Sequence, residues 1–240
     1  MMTTPAKRPF YQWDETEHET WGMLYERAWP RVVRRACRMY HEGHKRMGMN
    51  AQRIPDFAVL DILYQQRVGW ELVSTPVQYS DGQDWFEHLI KKQFLITEYI
   101  RERDSLDYTP LPDIFHDAFG HLPFMMHQRY ANLVLDYARL MLLADVESRP
   151  ALGSIWWYTI EFGLIKEDGE IKAFGAGLMS SYEEIETAFS DRVKRSPFNP
   201  VEMGQVKPSP HEIHKQLWIL DSFDQLETFV KQQLARFQPV

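Results

Sequence analysis

The chain has 240 residues, 44% of them hydrophobic and 14% aromatic, which is enough to bury a large core. A formal charge of −7 argues against nucleic acid as the main partner. The one cysteine, Cys37, excludes an internal disulfide and favours a reducing, cytoplasmic setting.

The N-terminus, MMTTPAKRPFYQWDETEHE, has no apolar run of the kind a signal peptide needs, and no stretch approaches the length of a membrane span. Composition is even along the chain, without repeats or Gly/Ser linkers. The expectation is an N-terminal tail over 1–13 and a single domain over 14–240, acting as a monomer, with no membrane and no nucleic acid among its partners.

Residues 14–47 carry apolar positions at helical spacing: Trp21, Leu24, Tyr25, Val32, Val33, Ala36 and Tyr40. Pro30 is expected to break or restart that helix. Arg31, Arg34, Arg35 and Arg38 form a basic stripe, read as a solvated face, with an acidic or nucleic-acid partner as the other reading. A helix is expected over about 55–67, with Pro55 near its first turn and Gly69 past its end. Residues 71–83 (ELVSTPVQYSDGQ) read as a loop. WFEHLIKKQFLITEYIRE follows as a short helix and then an extended or irregular segment at about 94–100. His127–Glu147 is expected to form a long amphipathic helix and about 151–163 another apolar one. FGLIK and EIKAF, on either side of Glu167-Asp168-Gly169, predict a hairpin. SSYEE offers a capping box twice, at Ser180/Glu183 and Ser181/Glu184. KQLWILDSF predicts a strand leading to a last helix over 222–236. The fold class is therefore mainly α with a few short β-strands.

The chemistry concentrates in HDAFGH, residues 116–121. Five positions on an ideal helix amount to about 500°, which leaves the two side chains about 140° apart. His116 and His121 can share a ligand only if the backbone leaves α geometry between them. Gly120 eases that, and a π-type turn aligns i with i+5. Asp113 could cap the turn or hold a histidine ring. A third candidate is Glu161, set among Ile155, Trp156, Trp157, Tyr158, Ile160, Phe162 and Leu164. Burying that carboxylate calls for a partner, either a divalent cation or a basic side chain. Two imidazoles and one carboxylate suit a facial Fe(II) site, and the same set could hold catalytic Zn²⁺; spacing does not separate them. The aromatic surroundings, with no extra carboxylate placed as a hydrolytic base, lean towards iron.

YTPLPDIFHDAFGHLP (108–123), WWYTIEFGL (156–164) and KAFGAGLMSS (172–181) resemble, in order and interval, three signature blocks of the pterin-dependent aromatic amino acid hydroxylases, and within that family the bacterial phenylalanine hydroxylases. Weaker matches lie at 54–70, 98–101 and 217–223. The resemblance covers about residue 14 to the C-terminus and implies that family's catalytic domain, with Fe(II), a tetrahydropterin and O₂, acting on a free aromatic amino acid. Phenylalanine to tyrosine is the expected conversion. Tryptophan, the meta position of phenylalanine or a specialised-metabolite precursor are alternatives, with a zinc hydrolase or a non-catalytic amino acid or pterin sensor further off.

By position, the resemblance implies His116, His121 and Glu161 as iron ligands and Arg101 as the partner of the substrate carboxylate. It places Thr109, Pro110, Trp157, Gly177 and Ser180 around the amino acid. Trp85, Asp117, Gly153 and Trp156 fall on the pterin side. The chain departs from the family pattern in several places. PVQYSDG (76–82) replaces a Gly-Leu-rich pterin loop. Asp117 stands for Glu, Leu111 for an acidic residue and Trp156 for Tyr. PSPHEIHKQ (208–216) is unlike its counterparts.

Overall fold

A computed structural model describes residues 8–77, 82–107, 111–210 and 212–237. Helix α1 (Glu15–Arg35) starts at a capping box in which Asp14 and Glu17 satisfy each other's backbone N–H groups. It runs through Pro30, contrary to expectation. The chain leaves helical geometry at Ala36 and Cys37 instead, where Cys37 N–H donates to Ala173 O at 3.0 Å. A backbone bond to another element, and not the missing proline N–H, sets the break. Helix α2 (Arg38–Met47) follows and stops at Gly48 in left-handed geometry.

The basic stripe faces acids of the same chain. Arg31, Arg34 and Arg35 surround Glu186, and Arg38 pairs with Asp168. Ahead of α1, Phe10 and Trp13, within the segment expected as a tail, pack against the core.

Helix α3 (Phe57–Val68) ends at Gly69 as expected, but it is capped by Asp56, which leaves Pro55 outside its first turn. The first part of the expected loop is a strand, β1 (Glu71–Thr75), paired in parallel with β2 (Gln93–Thr97) across helix α4 (Gly82–Ile90). Five residues followed by turn-forming ones carry little strand signal of their own; the partner strand supplies it. A 3₁₀ turn (Arg103–Ser105) precedes a π-turn over His116–His121, continued by the short α5 (Leu122–Met125). Helix α6 (Gln128–Leu143) buries Tyr130, Leu133, Val134, Tyr137, Leu140 and Met141 along one side.

The expected helix over 151–163 divides into α7 (Arg149–Trp156) and a second π-turn, Trp157–Glu161. The predicted hairpin forms as β3 (Leu164–Glu167) and β4 (Glu170–Ala173), with Asp168 and Gly169 both at positive φ in the two-residue turn. Helix α8 (Ala176–Ser180) leads into α9 (Tyr182–Ala188). Ser181 alone caps α9, because Ser180 is still helical and turns inward. After β5 (Lys194–Pro197) and α10 (Pro200–Met203), β6 (Gln216–Leu220) and α11 (Phe223–Phe237) close the described chain. The four-stranded sheet has the order β4-β3-β6-β5, antiparallel only between β3 and β4. The mainly α expectation holds, with α1, α2, α6 and the first π-turn joined by buried rings that include Trp21, Tyr40, Phe115, Phe119, Phe124 and Tyr130.

Candidate metal centre and active site

The first π-turn does what the five-residue spacing demands. His116 Nε2 and His121 Nε2 lie 3.0 Å apart, with the rings perpendicular. Asp113 starts the turn by accepting from His116 N–H at 3.1 Å, so of its two expected duties it caps the backbone. Tyr40 Oη–H donates to Phe119 O at 2.7 Å from α2, which satisfies a carbonyl inside the turn. Gly120 lets α8 come close: a Cβ there would stand 2.7 Å from Ala176 O.

The second π-turn delivers Glu161 to the same point. Its Oε1 is 3.3 Å from His121 Nε2 and its Oε2 is 3.5 Å from His116 Nε2. All three donor atoms lie within 4.8 Å of one another, and this is the group of three among the described residues able to hold a metal ion. Ligands about 2.1 Å from a common ion stand about 3.0 Å apart at octahedral angles and about 3.4 Å apart at tetrahedral ones. The observed 3.0–3.5 Å fits a bound ion and spans both geometries.

The protonation states suit a cation. Burial, with His121 beside it, pushes His116 down to about 4, so it is neutral and offers a lone pair. Burial opposes ionisation of Glu161, but His121 and His116 outweigh it and hold the carboxyl at about 2. Burial would also lower His121, yet Glu161 prevails and raises it. Ser180 Oγ donates to Ala176 O at 3.1 Å and sits 2.9 Å from His116 Nδ1. With its proton so placed, it accepts from Nδ1–H and leaves Nε2 bare towards the cluster.

The other sequence-predicted residues fall around this point in different ways. Arg101 is buried, and its Nε and Nη2 grip Asp113 at 2.8 and 2.9 Å. Burial disfavours both charges, but the pairing outweighs it, raising Arg101 and holding Asp113 below the usual carboxylate value. A guanidinium carries five N–H groups, so the fork retains donors beyond that pair. Trp156 donates from Nε1 to Glu161 Oε1 at 3.2 Å, and Phe86 and Tyr137 pack edge-on against its ring. Trp157 opens the π-turn that Glu161 ends and lies 4.9 Å from the Phe162 ring. Gly177 faces that same ring, where a Cβ would come within 2.5 Å. Trp85 packs edge-on to Phe94, whose ring lies 5.5 Å from His121. Asp117 is buried and accepts from Thr97 N–H and Oγ1–H at 2.9 and 2.8 Å. Gly153 has open space where a Cβ would stand. Thr109, Pro110 and most of the 76–82 loop lie outside the described residues.

In the sequence Tyr40 stood out only as an apolar helix position and Glu184 only as half of a capping box, and nothing pointed to Thr97 or to the pair of His214 and Glu184, which meets Trp157 at 2.7 Å through His214. The polar residues of PSPHEIHKQ were a signal, but nothing in the spacing says which of them turns inward.

A mainly α domain that gathers two histidines and a glutamate on two π-turns is the architecture of a mononuclear metal enzyme. The comparisons with known proteins narrow it. Residues 4–239 match the family model of the biopterin-dependent aromatic amino acid hydroxylases, and the chain belongs to that family. The phenylalanine-4-hydroxylase of Pseudomonas aeruginosa is 35% identical over 198 residues, which is 82% of this chain and 75% of that one. The phenylalanine hydroxylase structure from Legionella pneumophila superposes with a TM-score of 0.87 at 29% identity, covering 95% of this chain and 94% of that one. A Chromobacterium violaceum phenylalanine hydroxylase structure with bound iron(III) and oxidised 7,8-dihydrobiopterin gives 0.84 at 32% identity, covering 95% and 85%.

Proposed function

We propose that the protein is an Fe(II)- and tetrahydropterin-dependent monooxygenase that hydroxylates phenylalanine to tyrosine. The observation that carries this is the convergence of His116, His121 and Glu161 to within 4.8 Å inside a fold whose relatives are phenylalanine hydroxylases. Their donor set of two neutral-capable imidazoles and one ionised carboxylate fits a facial ferrous site, which leaves positions open. When bound, the pterin would supply two electrons for cleaving O₂ at the iron, one oxygen going to the ring and the other to the pterin.

The chain's own residues do the placing. His116, His121 and Glu161 hold the ion, and Ser180 and Trp156 aim two of those ligands through their hydrogen bonds. Arg101, fixed by Asp113, offers its remaining N–H groups to the substrate carboxylate. Trp157, Phe162 and Gly177 form the wall for the aromatic side chain, with Thr109 and Pro110 assigned to the same pocket by resemblance. Trp85 and Asp117 stand on the pterin side with Gly153. These walls keep water from the reacting ring. In this reading residues 14–240, with Phe10 and Trp13 ahead of them packed against the same core, form one catalytic unit, acting as a cytoplasmic monomer. No described helix is long and apolar enough to cross a membrane.

The test is anaerobic Fe(II) loading, then tetrahydropterin, air and a panel of phenylalanine, tyrosine and tryptophan, with products identified by mass spectrometry and NMR. Tyrosine formed from phenylalanine, with one pterin oxidised per turnover, is expected. Oxygen-independent activity from a zinc-loaded protein, or no product from any of the three, overturns the reading. In the His121→Ala protein both iron binding and turnover should be lost.

A further inference from the structure

Trp157, assigned above to the substrate wall, is held by a chain of hydrogen bonds that reaches across three segments. Its Nε1–H points at His214 Nε2, 2.7 Å away. An indole nitrogen only donates, so Nε2 must be the bare nitrogen of a neutral imidazole. The ring proton is then on Nδ1, which donates to Glu184 Oε1 at 2.9 Å, and His214 N–H donates to the same oxygen at 3.3 Å. Both partners therefore dictate one tautomer and one ring orientation. Packing agrees with the bonds. Phe162 lies 4.2 Å from the imidazole and Tyr158 meets it edge-on at 5.6 Å, while Phe162 also touches Trp157 at 4.9 Å. His214 and Glu184 are both nearly removed from solvent, with side-chain exposures of 5% and 12%. Turning the indole over would leave the buried Nε2 of His214 without its donor.

We propose that His214, oriented by Glu184, is a positioning residue that locks the Trp157 indole and thereby sets the wall met by the aromatic ring of the amino acid substrate. The inference rests on the hydroxylase reading above. It gives one residue of the divergent segment 208–216 a duty in choosing the ring. His214 touches neither substrate nor metal in this account; it acts through Trp157.

The experiment compares wild type, His214→Gln and His214→Phe in the Fe(II)-loaded full chain. Glutamine can accept from Trp157 and donate to Glu184, whereas phenylalanine keeps the bulk and removes both bonds. In His214→Phe, KM for phenylalanine is expected to rise about tenfold with a smaller change in kcat, as fits the loss of about one buried hydrogen bond. The preference for phenylalanine over tryptophan should narrow, and KM for the pterin and the iron content should hold. His214→Gln should restore most of the lost affinity. Independently of turnover, ¹⁵N-tryptophan NMR should show one indole N–H resonance moving upfield in His214→Phe and returning towards its wild-type position in His214→Gln. Should His214→Phe fail to fold, Glu184→Gln is expected to move that resonance the same way and raise KM about twofold.

An active wild type whose KM and indole resonance are unmoved by His214→Phe, or by Glu184→Gln, overturns this inference and leaves the hydroxylase reading standing. A wild type inactive on all three amino acids overturns both.

Discussion

Asp117 sits one residue after His116, fully enclosed, with Thr97 as donor to one carboxylate oxygen through both its backbone N–H and its hydroxyl. Burial pushes its pKa up to about 7; the two Thr97 bonds and His121 only moderate that. A carboxyl whose folded value lies above its unfolded one holds a proton the unfolded chain has released. Its contribution is fully present below about pH 4 and is lost as pH rises towards 7. His116 runs the other way: pushed down to about 4 from 6.5, it adds stability above 6.5 and loses it as pH falls from there. The two slopes oppose each other in the metal-free protein, so the informative quantity is a difference. Asp117→Asn should gain on wild type by about 2 kcal/mol or more between pH 5 and pH 8 in urea unfolding, because each pKa unit is worth about 1.4 kcal/mol. A constant gap between the two proteins across that range would show Asp117 ionised throughout.

At this scale His116, His121 and Glu161 were legible because polar groups among apolar ones need a reason. Ser180 was expected beside the amino acid by resemblance alone, and its bond to His116 Nδ1 was not foreseen, since a hydroxyl has many partners open to it. The link between Arg101 and Asp113 depends on a loop path that no periodicity encodes.

The two π-turns explain why the site forms where it does. In the first, the wide turn aligns His116 with His121, Tyr40 from α2 satisfies the Phe119 carbonyl within it, and the glycine at 120 lets α8 pack against it. Gly120→Ala should therefore destabilise by about 2–3 kcal/mol, since its Cβ would press on a backbone carbonyl of α8 that has no side-chain freedom to yield. Tyr40→Phe should cost about 1–2 kcal/mol by removing the donor to Phe119 O. Both are read by urea unfolding with an unchanged m-value. If Gly120→Ala unfolds with the wild-type midpoint and keeps its metal, the close approach of α8 is not what holds the turn.

The first π-turn was readable because two histidines at i, i+5 can share a ligand only if the backbone leaves α geometry, and the glycine beside them eases that. The second was not, since WWYTIE continues an apolar helical pattern with no glycine or proline to mark the change. Pro30 misled in the opposite sense. It signals a breaker, but the buried face of α1, including Trp21, Leu24, Tyr25, Ala28 and Val32, keeps the helix intact past it. Strand β1 was missed because a parallel pair draws its stability from a partner beyond an intervening helix.

For the molecule as a whole, metal binding and folding are linked. The three ligands come from two segments that converge only in the native state, so a ferrous ion binds the folded chain far better than the unfolded one. At an ion concentration about 100 times its Kd, that linkage adds about 2.7 kcal/mol. In a chain of this size one kcal/mol moves Tm by about 2–4 °C, so loading should raise Tm by about 5–10 °C. His121 sets the pH dependence of this gain. Its raised pKa means that the ion must displace a proton shared with Glu161, so the increment should shrink as pH falls. Glu161→Gln should abolish most of the increment, because the amide keeps an oxygen for Trp156 Nε1–H and loses the charge that attracts the ion. The metal-free Tm should fall as well, since the ionised carboxylate also holds the proton on His121. Anaerobic scanning calorimetry with and without Fe(II), at two pH values, reads all of this. An equal Tm rise in wild type and Glu161→Gln would place the ion somewhere other than between the two π-turns.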